Sequence, residues 1–173
     1  MFSPVGMNME RGCPGRVDGD RVVQLAAQTL QAFFTGGGGA REHAVYALAE
    51  VDFRPPVLHP PSIRVFGDDG EFVFANTANV FGPDDVVPPP EGSALENTDV
   101  VVAVIGADEA IGGYTTGTLW RAPDLRGVRT REYALTLGAH VVTPDEHDGP
   151  RLDAERDVAA RGTTLRAGEL LVR

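Results

Sequence analysis

The sequence predicts an α+β fold that is mostly β, and three observations carry that prediction. The run TDVVVAVIG, Thr98 to Gly106, holds four Val and one Ile in nine residues with no polar alternation, the pattern of a strand buried on both faces. Several other short segments rich in β-branched and aromatic residues are set off by turn residues, among them GEFVFANTANVFG, YTTGTLW and RGTTLRAGELLVR. Between Val51 and Pro61, FRPPVLHPP is too rich in proline for a helix interior or a central strand.

Taken in order, residues 1–15 read as a flexible leader, and MFSPVGMNMERGCPG lacks the charged start and apolar stretch of a signal peptide. Residues 16–55 read as a small α/β segment. A strand near Arg16–Gly19 leads into a helix over Val22–Phe34, where the apolar residues have helical spacing. The four glycines Gly36 to Gly39 stop it, at about 1 kcal/mol each inside a helix. A second helix is expected over Ala40–Ala49. Residues 56–173 read as a β-rich domain. The proline connector enters it, GEFVFANTANVFG forms a strand pair, and VVPPPEGS is a loop. TDVVVAVIG is the central strand, ADEAIGG a helical turn and YTTGTLW a strand. EYALTLGAHVVTP supplies one or two more strands, and RGTTLRAGELLVR a turn and a final strand. There is no internal repeat.

The 173 residues suit one core-bearing domain. A net charge of −10 argues against nucleic acid and anionic membranes, whose phosphates want basic patches. No apolar run approaches the ~18 residues of a membrane span. All fifteen basic residues are Arg, which excludes Schiff-base and lysine-base chemistry. The one cysteine, Cys13, allows no intramolecular disulfide and no Cys-cluster zinc site, and a cytoplasmic setting is expected. None of His43, His59, His140 and His147 has the spacing of an HExxH zinc site, and Ser62 sits in no GxSxG elbow.

The stretch Ala94 to Arg126, ALENTDVVVAVIGADEAIGGYTTGTLWRAPDLR, resembles the core pattern LDYExExAxVIG…GYTxxNDWSARDLQ of the fumarylacetoacetate hydrolase family. Further blocks agree in order: PSIRVF with PSIRDF, FVFANTANVFGPDDVVPPPEGS with FYFSNPxxIxGPGDPVPPPPGS, YALTLGAHVVTPDE with FATSLGPWLVTPDE, and RGTTLRAGELLV with RGTTLRPGDVI. The resemblance covers most of the chain from about Gly15. It implies that family's mixed β-sheet roll with a few short helices, shortened after the RGTT block.

The resemblance also implies a divalent-metal site, and here the sequence departs from it. The metal-binding carboxylates of the pattern fall on Val65, Thr98, Val100 and Leu119, and the helix carrying the family's His after PSIRDF has no counterpart. A hard cation needs several oxygen ligands, mostly anionic, which these residues do not supply. No metal and no cofactor is therefore expected. The family's substrate-contacting Gln and Lys fall on Arg126 and Arg131, whose guanidiniums fork donors toward a carboxylate or enolate. His140 replaces a Trp and is the candidate base, because imidazole titrates near neutrality. Val65, Val73, Thr98, Val100, Tyr114, Leu119 and Trp120 are the candidate walls of a substrate pocket where the metal sat.

These residues imply a metal-independent cyclase, pericyclase or isomerase of secondary metabolism. It would fold an apolar, polyketide-like small molecule into a reactive conformation and promote ring formation by proximity and hydrogen bonding. Two other readings stay open. One is a non-catalytic ligand-binding relative. The other is a metal-dependent hydrolase or decarboxylase using Glu96, Asp99, Asp68 or Asp69. A homodimer is expected, since a shortened sheet exposes an edge that a partner chain can cover.

Overall fold

The valine run lies at the centre of the structure. A computed structural model of the protein describes residues 1–7, 9–126 and 133–173. Strand β9 (Glu96–Ile105) forms a long antiparallel hairpin with β10 (Ile111–Arg121) through a 3-10 turn at Ala107–Glu109. The hairpin anchors a seven-stranded sheet. On one side of β9 stand β12 (Leu170–Val172), β6 (Ile63–Phe66) and β7 (Phe72–Phe74). On the other, β10 is followed by β11 (Ala134–Leu137) and β8 (Val80–Phe81). The sheet is mixed, because β12 runs parallel to β6 and β11 parallel to β8. FVFANTANVF was expected to pair with itself. Its two strands, β7 and β8, instead lie on opposite edges of the sheet.

Both faces of β9 are covered over its second half, Val102 to Ile105. Val102 and Val104 enter one core with Ile63, Leu170, Val172, Leu135, Leu137 and Phe34. Ala103 and Ile105 enter a second with Tyr114, Leu171, Leu152 and Ala159. Full burial of a Val or Leu side chain contributes about 1.5–3 kcal/mol, so a strand apolar on both faces makes a strong central element. Helix α2 (Asp153–Ala160) is an addition to the elements expected from sequence. Leu152 and Ala159 bury against the second face, and Glu155 between them pairs with Arg173 at 2.7 Å. An ion pair buried on both sides, Arg64 with Glu169 at 2.5 Å, ties β6 to the start of β12. The Arg64 guanidinium also lies 5.5 Å from each of the Phe72 and Phe74 ring centroids.

The N-terminal part departs from expectation in three places. Residues 1–15 are anchored: β1 (Phe2–Pro4) pairs with β5 (Val51–Phe53), and Phe2 is 1% exposed in a small core with Val22 and Val51. The apolar start of the expected helix is a strand, β3 (Arg21–Leu25), between β2 (Gly15–Asp18) and β4 (Glu42–Ala47). Val22 pairs with Val17 and Tyr46, and Val23 with Arg16 and Val45, so the two β-branched residues face opposite ways as a pleat requires. Only Leu30–Thr35 is helical (α1), capped by Thr29, whose Oγ1 accepts from the Ala32 N–H at 3.0 Å. The expected second helix is β4 followed by a 3-10 turn at Leu48–Glu50. No helix among the described residues is long and apolar enough to cross a membrane.

Candidate functional site

Strand register decides which candidate residues meet. Val65 pairs with Val73 and Val172, Val172 with Val102, and Thr98 with Leu119. Side chains alternate along a strand, so Val65, Val73, Thr98, Val100 and Leu119 share the first face of the sheet. Tyr114 and Trp120 differ from Leu119 in parity and occupy the second face. There Tyr114 is buried, stacks on His147 at 4.1 Å and accepts at its hydroxyl from the Leu152 N–H at 3.4 Å. Trp120 Nε1 donates to Thr136 Oγ1 at 2.9 Å. Arg126 is exposed beyond the end of β10. Arg131 lies outside the described residues.

The five residues on the first face do not fit a divalent ion. They offer one hydroxyl, and Arg121 Nη2 already donates to it, Thr98 Oγ1, at 3.1 Å. A dication beside that oxygen would sit about 4 Å from a guanidinium, a repulsion of at least about 2 kcal/mol even in water. The alternative carboxylates are dispersed. Asp99 projects from the second face, Asp69 Oδ1 accepts from the Glu71 N–H at 3.1 Å in the β6–β7 turn, and Glu96 is exposed at the start of β9. Among the described residues no three His, Cys, Asp or Glu side chains gather into a metal-binding group.

Among the described residues, Val65 and Val100 pack against the first core, and Val100 borders an open groove of about 610 Å³. A more closed cavity, about 650 Å³, lies elsewhere, between the small N-terminal sheet, α1 and the segment after β11. Leu25, Leu30, Phe33, Phe34, Phe53 and Val141 form its walls, and Gly112 marks it as the hairpin-turn end of β10. A Cβ at Gly112 would come within 2.9 Å of the Phe34 ring, so glycine there lets the ring approach the strand closely. Arg16 and Glu42 also line it and clasp each other at 2.6 Å.

His140 is the one catalytic candidate on the wall of this cavity. Its imidazole stands edge-on to Phe53 at 4.8 Å. Partial burial holds its pKa below the usual value, and the nearby Met1 ammonium adds to the effect. That amine is itself pushed down to about 6 by burial, so burial is the larger cause of the His140 shift, and the imidazole is neutral near pH 7. Thr143 and Glu146 complete the polar side of the cavity. The aromatic wall was missed in the sequence because Phe33 and Phe34 read as ordinary core of a longer helix. The pairing of Phe53 with His140 joins segments far apart in the chain.

The fold is that of the fumarylacetoacetate hydrolase family: a mostly β, curled mixed sheet with short helices. Among solved structures it resembles maleylpyruvate hydrolase from Sphingobium sp. SYK-6, with a TM-score of 0.74 and 17% identity over 94% of this chain and 85% of that one. It also resembles 5-carboxymethyl-2-hydroxymuconate delta-isomerase from Mycobacterium smegmatis, at TM-score 0.70 and 17% identity, covering 92% and 81%. A third is 2-keto-3-deoxy-D-arabinonate dehydratase complexed with magnesium and 2,5-dioxopentanoate, at TM-score 0.77 and 12% identity, covering 99% and 85%. Identities this low establish the fold and no activity. No family model and no curated protein matches the sequence.

Proposed function

We propose that the protein is a metal-independent isomerase or cyclase of secondary metabolism acting on an apolar, polyketide-like ketone, with the 650 Å³ cavity as its site and His140 as the base. The observation that carries this reading is a neutral imidazole on the wall of an apolar cavity of ligand size, in a fold whose expected metal positions carry no carboxylate. His140 takes a proton α to a carbonyl. The enolate carbon either regains a proton at another position, which isomerises the substrate, or attacks a second carbonyl of the same chain. In the second case a C–C bond forms and the new alkoxide takes the proton back from the imidazolium, so no outside reactant is consumed. The aromatic walls hold the chain folded, and proximity supplies much of the rate. The proposal includes a homodimer in which a second copy covers edge strand β7, where Phe74 is 57% exposed; sedimentation of the purified protein checks it.

The test follows a linear triketone, heptane-2,4,6-trione, by NMR in D₂O with EDTA present. Deuterium exchange or ring closure is expected above the buffer rate, and His140→Gln is expected to lower it about 10²-fold or more. Turnover that EDTA abolishes and Mg²⁺ or Mn²⁺ restores overturns the reading, as does a His140→Gln variant with full rate. Saturable binding without turnover replaces the enzyme with a ligand-binding protein.

A further inference from the structure

We infer that the open groove on the second face of the sheet is a separate binding site for a neutral, hydroxyl-rich ligand such as a monosaccharide or cyclic polyol. Helix α2 covers only part of this face, the part carrying Ala103, Ile105, Tyr114 and Leu171. Toward the other end of the same strands the face carries Asp99, Thr116, Thr118, Thr136 and Arg173 instead. They line a groove of about 610 Å³. Cross-strand pairing sets Thr118 beside both Asp99 and Thr136, so the groups form a compact grid rather than a scattered surface.

Two details orient this grid. Thr136 Oγ1 accepts from Trp120 Nε1 at 2.9 Å, which leaves its own O–H to donate onward. Arg173 is fixed at one end by Glu155 at 2.7 Å, with further N–H donors available. Depth comes from Gly138 in the floor. A Cβ at Gly138 would come within 2.6 Å of Thr116 Oγ1, so the missing side chain leaves room for that hydroxyl. The site thus mixes an acceptor-only carboxylate, three hydroxyls that both donate and accept, and a donor-only guanidinium. That mixture matches ligand hydroxyls, which also do both. Asp99 and Arg173 carry opposite charges, so the pair favours neither an anion nor a cation, and the net charge of −10 further disfavours anions.

The experiment titrates the ¹⁵N-labelled full chain with glucose and myo-inositol, and with glucuronate and glucosamine as charged counterparts, at millimolar concentrations. Amide shifts are expected at Thr116, Gly117, Thr118, Thr136 and Gly138 with the neutral ligands. Asp99→Asn and Thr118→Val, both at partly or fully exposed positions, are each expected to weaken binding about three- to tenfold, one hydrogen bond apiece. His140→Gln should leave these shifts unchanged, which separates this site from the proposed reaction. Thermal unfolding of each variant checks that it is folded. The inference is overturned if no neutral sugar or polyol shifts these amides, if glucuronate or glucosamine binds more tightly, or if folded Asp99→Asn and Thr118→Val bind like the parent. It is also overturned if the same amides shift with protein concentration alone, which assigns the groove to a second copy of the chain.

Discussion

Replacing Glu169 by Leu should destabilise the protein far more than a surface change, because it strands a buried cation. Arg64 and Glu169 meet at 2.5 Å with side-chain exposures of 4% and 6%, so neither charge has water to fall back on. Removing one partner of such a pair costs about 3–5 kcal/mol, against a typical domain stability of about 5–15 kcal/mol. In a chain of this size about 2–4 °C of melting temperature goes with each kcal/mol, so a fall of about 6–20 °C is expected. The double variant Arg64→Met, Glu169→Leu removes both charges and should recover most of the loss. Urea unfolding followed through the fluorescence of the single tryptophan, Trp120, measures all four corners of the cycle. A Glu169→Leu variant within about 1 kcal/mol of the parent, or a double variant no better than the single, refutes the reasoning.

Two further outcomes follow from the backbone and the titrating groups. Asp108 and Glu109 in the β9–β10 turn have φ of 52° and 58°, which costs a side-chain-bearing residue about 1–2 kcal/mol. Glu109→Gly removes that strain at an entropic cost of about 0.5–1 kcal/mol, so a net gain of up to about 1.5 kcal/mol is expected in denaturant unfolding; a loss contradicts it. The folded-state pKa values of the Met1 amine and His140 are both depressed, so the unfolded chain binds more protons and stability falls as pH drops through their windows. The amine acts between 8.0 and about 6, and His140 from 6.5 down to its depressed folded-state value; each penalty is fully in place only below the folded-state value. His140→Gln should flatten only the lower part of the slope; identical pH–stability curves for parent and variant would refute the assignment.

Where a segment's partners lie on both sides, its sequence declares it, and β9 was legible for that reason. Thr98, Val100 and Leu119 share a face because strand parity fixes it, and the same parity carries Tyr114 and Trp120 away from them. Val22 and Val23 misled because apolar spacing over a long window fits a helix, while their β-branched side chains gain more by pairing with β2 and β4. Strands β1 and β5 carry three residues each and pair across about fifty residues of chain, so no local pattern announces them. Arg121 escaped notice because its importance comes from the register that brings it to Thr98, not from its neighbours in sequence.

The placement of β12 has a kinetic corollary. Its three residues are the seam between β6 and β9, joining Ile63 to Leu170 in parallel and Val104 to Leu170 in antiparallel fashion. The β6–β7 and β9–β10–β11 units can assemble from nearby chain, but neither can close its apolar faces until a distant segment slots between them. Assembly should therefore be slow and all-or-none, with exposed valine ladders vulnerable to self-association until that segment arrives.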